Sequence, residues 1–270
     1  MIQEIRIKNY LSFRDEVVLS FEATKDTTFE ECQVVNVTPK VRLLRFALIY
    51  GANASGKSNL LNAMNFLRDF WFDKKSDIDE ETGVVPFLLD TETPNEPSEF
   101  NIKFFVGDKR YWDALVLDDK QVIKENLYVY NSVQPSLVFS RELDGTTSLI
   151  KLNASLVKAN ATIVEQLNVK CLSNMSFFAA RNQVNCSLAY IDEVRDWMKN
   201  NMMPIIEPGT RMFDYAGKQM EKNVELKAYI LDFVHKADYN ITDVYTEREK
   251  VPIPDIVKAS IMEDKDIPEK

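Results

Sequence analysis

Apolar and polar residues alternate with a period near two at the start of the chain. Ile2, Ile5 and Ile7 stand against Gln3, Arg6 and Lys8, and Val17, Leu19 and Phe21 repeat the pattern over 16–22. The polar and aromatic stretch Asn9-Tyr-Leu-Ser-Phe-Arg14 lies between them, so a β-hairpin is predicted. Residues 24–40 show no period and read as a loop. The short apolar run Phe46-Ala-Leu-Ile-Tyr50 predicts a strand, and a helix follows from Lys57 to about Phe72. Residues 73–83 are charged and read as exposed. Period-two segments return at 100–106, 110–117, 122–130, 137–141 and 148–152. Asp-Lys at 108–109, Asp-Asp-Lys at 118–120 and Asp-Gly at 144–145 supply turns, and together they predict an antiparallel meander.

From about residue 154 the period changes to 3.6. Leu156, Ile163 and Leu167 suggest one helix, and Leu188, Ile191, Val194, Trp197 and Met198 a second. Val224, Ala228, Leu231 and Val234 suggest a third. Ile241, Val244 and Tyr245 look strand-like within 238–251, and the last 20 residues read as a linker or tail. The expected organisation is an N-terminal lobe over 1–153, a helical subdomain over 154–236, and a partial return strand with a tail over 237–270.

Between the strand at 46–50 and its helix lies Gly51-Ala-Asn-Ala-Ser-Gly-Lys-Ser58, a complete G-x-x-x-x-G-K-[ST] phosphate loop. Strand, glycine-rich turn and helix is the context that gives this motif a mechanism. Gly51 and Gly56 let the backbone turn so that successive N–H groups face an anion. The following helix adds its unpaired amides and positive dipole end. The expected nucleotide-binding set is Gly51, Ala52, Asn53, Ala54, Ser55, Gly56, Lys57, Ser58 and Asn59. Lys57 would lie between the β- and γ-phosphates of ATP, Ser58 would ligate Mg²⁺, and Asn53 is a candidate for the γ-phosphate side.

Composition narrows the class. In 270 residues, 45% are hydrophobic, enough for a proper core, and 7 Gly with 10 Pro argue against low complexity. The net charge of −9 disfavours a wholly basic nucleic-acid binder. Cys32, Cys171 and Cys186 are widely spaced, and with His235 as the sole histidine they form no zinc pattern; three reduced, mostly buried thiols are expected. The N-terminus has no apolar signal segment, and no run of about 18 apolar residues exists. A cytoplasmic protein without a membrane partner is expected.

The order of elements resembles the ATPase heads of the ABC superfamily, in the branch of structural-maintenance-of-chromosomes, RecF-like and OLD-family proteins. The resemblance is strongest to bacterial AAA-15/AAA-21-type ATP-binding proteins, many linked to abortive infection. It is carried by Ile5-Arg-Ile-Lys-Asn-Tyr-Leu-Ser-Phe13, Tyr50-Gly-Ala-Asn-Ala-Ser-Gly-Lys-Ser-Asn-Leu-Leu61, Pro86-Phe-Leu-Leu-Asp90, Pro97-Ser-Glu-Phe100 and Ala237-Asp-Tyr-Asn-Ile241. It implies an α/β P-loop NTPase of ABC-head type, with an antiparallel β-meander and an inserted helical subdomain. It also implies a homodimer of ATP-bound heads and a nuclease or toxin partner, plausible in phage defence.

Such a head needs a serine-glycine signature, a Walker B strand ending Asp-Glu, and a switch histidine. About 30 residues follow Ala237-Asp-Tyr-Asn-Ile241, and none carries these motifs, so the chain is expected to be a fragment. Leu188-Ala-Tyr-Ile-Asp-Glu193 has Walker B form, with Asp192 and Glu193 as candidate catalytic acids. Its apolar spacing continues to Met198, however, which favours an amphipathic helix with exposed acids. Tyr229-Ile-Leu-Asp232 fails for the same reason.

Other candidates carry two readings each. Asn9, Phe13 and Arg14 either approach the nucleotide, as the resemblance implies, or form a plain surface turn. Gln121 and Gln134 are candidates for Mg²⁺ coordination or for surface polarity. His235 is a candidate switch or a dipole-stabilised helix-end residue. Lys103, Lys109, Arg110, Lys120 and Lys124 make DNA a candidate partner, although interspersed acids favour a solvated sheet face. Trp71, Phe72 and Trp112 read as core or subdomain contacts rather than base-stacking platforms. Two functions follow: an ATPase in the complete protein, or a non-hydrolysing nucleotide-binding or assembly module.

Overall fold

The computed structural model describes residues 1–237, 239–245 and 247. The chain divides into two compact units, residues 1–205 and the residues from 206 onward.

The first unit is built on a seven-stranded antiparallel sheet. The hairpin expected at the N-terminus is present as β1 (Ile2–Lys8) and β2 (Val17–Ser20), with Ile5 opposite Leu19. The meander is present as β5 (Ser98–Val106), β6 (Lys109–Leu117), β7 (Val122–Tyr130), β8 (Ser136–Asp144) and β9 (Thr147–Leu152). The strand order is β2-β1-β5-β6-β7-β8-β9, so the first strand joins the meander by pairing with β5 at Ile5–Ile102. Alternation buries Phe100, Ile102 and Phe104 on β5 and Tyr111, Leu115 and Leu117 on β6.

Helices cover that apolar face. Helix α2 (Lys57–Phe70) buries Leu60, Ala63, Leu67 and Phe70, the stripe that a 3.6 period places on one side. Tyr10 and Phe66 close around Phe100 through ring contacts at 5.2 Å. Helix α3 (Ala161–Lys170) packs on β9, and its Asn160 cap accepts from the Ile163 amide. Helix α4 (Phe177–Arg181) stacks Phe177 on Phe139 at 3.9 Å, and α5 (Ile191–Asn201) stacks Trp197 on Phe104 at 4.3 Å. The second unit holds α6 (Phe213–Lys222) and α7 (Val224–Lys236), with Asn223 capping the latter. Its apolar side chains Phe213, Val224, Tyr229 and Phe233 are exposed. No helix among the described residues is long and apolar enough to cross a membrane.

Several sequence expectations are corrected. Within 24–40, α1 (Glu30–Gln33) and β3 (Val34–Thr38) form, and β3 pairs with β4 (Val41–Leu44). The signal was missed because this ribbon forms its own two-stranded sheet, with little alternation to reveal a core face. Residues 46–50 are not a strand. Residues 239–245 hold no strand, although Ile241, Val244 and Tyr245 lie there, and 248–270 lie outside the described residues. Helices α4 and α6 are further elements outside the expected set; α4, with five residues, is too short to show a helical period. Cys171 is buried, but Cys32 is exposed.

A polar cluster sits inside the first unit's core. Glu125 accepts from the Ser176 hydroxyl and the Phe177 amide, both at 2.7 Å, and lies 3.7 Å from Arg141. Arg141 donates to Ser148 and to the carbonyls of Leu172 and Ser173. Asp113 accepts only from the Trp71 indole, at 3.1 Å, and its other oxygen has no partner among the described residues. Burial, and then the neighbouring Glu125 charge, push the Asp113 carboxyl well above its ordinary 3.8. Burial also raises Glu125, while Arg141 and the two donors oppose that rise.

A carboxyl whose folded pKa is raised binds more protons in the native state than in the unfolded one. Its contribution to stability is therefore present below the unfolded value and is lost as pH rises through the folded one. Asp113→Asn keeps an acceptor for Trp71 and removes the titration. We expect this variant to match the parent near pH 4 and exceed it in thermal midpoint at pH 8. A parent that gains its advantage toward pH 8 would contradict the assignment.

Candidate functional site

The loop at 51–58 owes its shape to its glycine and alanine positions. Gly56 adopts the left-handed conformation at φ 86°, and Ala54 does so at φ 61°. Gly56 is also the residue from which α2 starts, and its carbonyl accepts the first helical bond, from Leu60. Among the described residues, the amides of Asn53, Ala54, Gly56, Lys57, Ser58 and Asn59 donate to no protein acceptor. These are the orphan donors of a helix start plus those of the turn before it, an arrangement that attracts an anion.

Lys57 folds over this turn, and its Nζ donates to the Gly51 carbonyl at 3.0 Å and the Ala52 carbonyl at 2.7 Å. The ammonium thus already sits on the loop rather than out in solvent. Ser58 is exposed, and its hydroxyl makes no hydrogen bond among the described residues. Asn59 donates to the Ser12 hydroxyl at 2.8 Å. These residues fit a nucleotide phosphate with a divalent ion: cation, free amides and a free hydroxyl converge on one turn.

Gly56 has a second constraint. A Cβ there would lie 2.9 Å from the Phe13 ring and 2.9 Å from the Ser12 hydroxyl. Gly56→Ala therefore meets backbone strain and a clash together. It is expected to cost about 2 kcal/mol of stability in a denaturant titration, mainly through the left-handed backbone. A variant as stable as the parent would show that the turn can move away freely.

The remaining candidates are placed as follows. Asn9 is not a surface residue. It is 1% exposed, its amide donates to the Thr93 and Glu96 carbonyls at 2.8 Å, and its oxygen accepts from the Phe87 amide. Phe13 packs on Gly56, and Arg14 pairs with Asp90 at 2.9 Å. Nothing in the sequence pattern marked Asn9 as a buried hub, because its partners are backbone atoms nearly 90 residues away.

Asp192 and Glu193 lie in the first turn of α5, as the helical reading expected, but they are not free acids. Asp192 pairs with Arg181 at 2.8 Å and accepts from the amide of Leu188, three residues ahead of the helix. Glu193 accepts from Lys109 at 2.9 Å and from the Tyr111 hydroxyl at 3.0 Å. Burial and that carboxylate push the Tyr111 phenol up, and the same carboxylate raises Lys109. Among the described residues, no hydrogen bond or ion pair ties either acid to the 51–58 loop.

Four of the five meander cations are also engaged, while Lys120 is exposed and its ammonium has no partner among the described residues. Lys103 pairs with Glu4, Lys124 with Glu142, and Arg110 lies over the Tyr130 ring. Trp71 is buried and Trp112 stacks on Tyr128. Gln134 is exposed and Gln121 half-buried. His235 sits in the last turn of α7, where its ring contacts the Ile241 carbonyl.

A mixed α/β fold with a large antiparallel sheet, and a glycine-shaped turn opening a helix that carries Lys57 and Ser58, fit the P-loop NTPase class. Residues 46–152 match the model of the AAA_21 family, described as AAA domain, putative AbiEii toxin, Type IV TA system. The match bears out the resemblance to AAA-21-type ATP-binding proteins and gives the domain an ATPase-like, ATP-binding character. No curated protein matches the chain.

Proposed function

We propose that this chain is an ATP-binding head of ABC type, and that residues 51–59 hold ATP with Mg²⁺. The carrying observation is the loop itself: free amides on a left-handed glycine turn, with Lys57 Nζ already laid across it. In this reading Lys57 would neutralise the β- and γ-phosphates, the loop amides would orient them, and the Ser58 hydroxyl would help hold Mg²⁺, whose chemistry when bound would be charge neutralisation. Binding of a second ATP-bound head would close the site, and that closure would switch a nuclease or toxin partner. The dimer, the partner and a place in phage defence rest on family analogy.

Two observations favour a site that is half supplied by this chain. The run leading into the loop is exposed, with Leu48 at 80% and Tyr50 at 92%, and its backbone makes no hydrogen bond among the described residues. An exposed apolar run calls for a covering layer, and its backbone groups are free to pair with one. The acids of Walker B form, Asp192 and Glu193, are tied up in α5. The second reading, a nucleotide-binding module without turnover of its own, draws on the same two facts.

The test compares ATP binding with ATP hydrolysis for the full chain. Binding without turnover, or slow turnover unchanged by Glu193→Gln, is expected. Turnover abolished by Glu193→Gln would overturn the assignment of that acid to a packing role, and absence of any ATP binding would overturn the site.

A further inference from the structure

The turn at 9–14 is bonded on two sides. Toward the phosphate loop, the Ser12 hydroxyl accepts from Asn59 at 2.8 Å, the Phe13 ring abuts Gly56, and the Tyr10 hydroxyl reaches the Asn62 carbonyl at 3.4 Å. On its other side it grips both ends of the segment 85–98. The Leu11 amide donates to the Val85 carbonyl at 2.9 Å, and Asn9 holds the Phe87 amide together with the Thr93 and Glu96 carbonyls. The Ser98 hydroxyl donates to the Asn9 carbonyl, and Arg14 pairs with Asp90.

Two features show that this bracket is held in place rather than relaxed. Leu11 adopts left-handed backbone at φ 49°, which a leucine keeps only where surroundings enforce it, and Asn9, a residue type that tolerates this region, does so at φ 52°. The segment it grips turns Leu88 and Leu89 outward, at 62% and 89% exposure, although both are apolar. Beneath that segment lies a cleft of about 430 Å³, lined in part by Val84, Pro86, Leu88 and Pro94.

We propose that the 9–14 turn is a positioning element that transmits occupancy of the phosphate loop to the 85–98 segment, with Ser12 and Asn9 as its positioning residues. Phosphate drawn into the loop acts on Gly56 and on the first turn of α2, where Asn59 stands. Asn59 and Gly56 are the atoms Ser12 and Phe13 touch, so a shift there is passed to Asn9 and Arg14. These two hold the only bonds by which the turn's side chains grip 85–98 among the described residues. The exposed Leu88–Leu89 pair is then repositioned over the cleft when nucleotide is bound. The inference rests on the ATP-site reading.

The experiment is amide hydrogen exchange on the full chain with and without saturating ATP and Mg²⁺. Saturation keeps occupancy equal between variants. In the parent, ATP is expected to slow exchange in peptides covering 85–98 by about fivefold, the lower end of ordinary coupling between sites. Ser12→Ala, at an exposed position, and Asp90→Asn should fold with unchanged melting temperature and lose most of that slowing. Ser12→Thr, which keeps the hydroxyl, should restore it. A merely structural role would alter exchange equally with and without ATP. If ATP binds and 85–98 exchanges unchanged, or responds fully in Ser12→Ala, the coupling is wrong while the ATP site stands. If ATP does not bind at all, both fall.

Discussion

Lys57→Ala is expected to weaken ATP binding on the order of 100-fold, because a hydrogen bond to an ionised partner contributes about 1.5–3 kcal/mol and the ammonium would face two phosphates. The geometry makes this a sharp test. Lys57 Nζ lies on the Gly51 and Ala52 carbonyls, at the rim of the turn whose amides are free, so no movement of the backbone is needed to bring it to a bound anion. The side chain is only half-buried and packs in no core, so melting temperature should hardly change. Titration calorimetry or a fluorescent ATP analogue reads the affinity, and it should also weaken with added salt, as attraction between exposed charges is screened. An unchanged dissociation constant for Lys57→Ala would remove the central assignment.

The second large effect concerns folding. Arg141→Met is expected to cost about 3–5 kcal/mol, the usual loss when one partner of a buried ion pair is removed. Both Arg141 and Glu125 are fully buried. The Met side chain fills much of the volume but leaves the Glu125 charge facing only the Ser176 and Phe177 donors. It also strips the Leu172 and Ser173 carbonyls of their donor, loosening the turn before α4. A urea titration should show the midpoint falling steeply. The double variant with Glu125→Gln should recover a large part of the loss, because the neutral amide no longer needs a cation. A small change in the single variant would mean that Glu125 takes its proton readily.

The legible parts of this chain were those governed by short-range rules. The meander was readable because its strands alternate, its turns are two to five residues long, and each strand neighbours the next. The phosphate loop was readable because Gly51, Gly56, Lys57 and Ser58 act within one turn of backbone. The helix carrying Asp192 and Glu193 was told from a Walker B strand by the spacing of Ile191, Val194, Trp197 and Met198, which indeed face the core. What the acids do there was not readable, because Lys109, Tyr111 and Arg181 come from other elements.

The 46–50 run shows the opposite failure. Its apolar residues, directly before a phosphate loop, predict a paired strand, yet pairing depends on a neighbour that local sequence does not contain. Asn9 failed in a third way: an asparagine in a polar turn reads as surface, and only the approach of 87–97 buries it.

The sequence by itself therefore determined the hairpin, the meander, the loop that starts α2 and the residue types able to hold a phosphate. These follow from backbone freedom at glycine, side-chain period and charge, all of which act between near neighbours. The tertiary structure decided which polar groups are already spent on one another. It sealed Asp192 and Glu193 into ion pairs, buried Asp113, Glu125 and Arg141 together, and set Ser12 and Phe13 against Gly56. Those outcomes depend on contacts between residues tens of positions apart, where burial fixes the free energy of a charge or an amide and the linear order of residues does not.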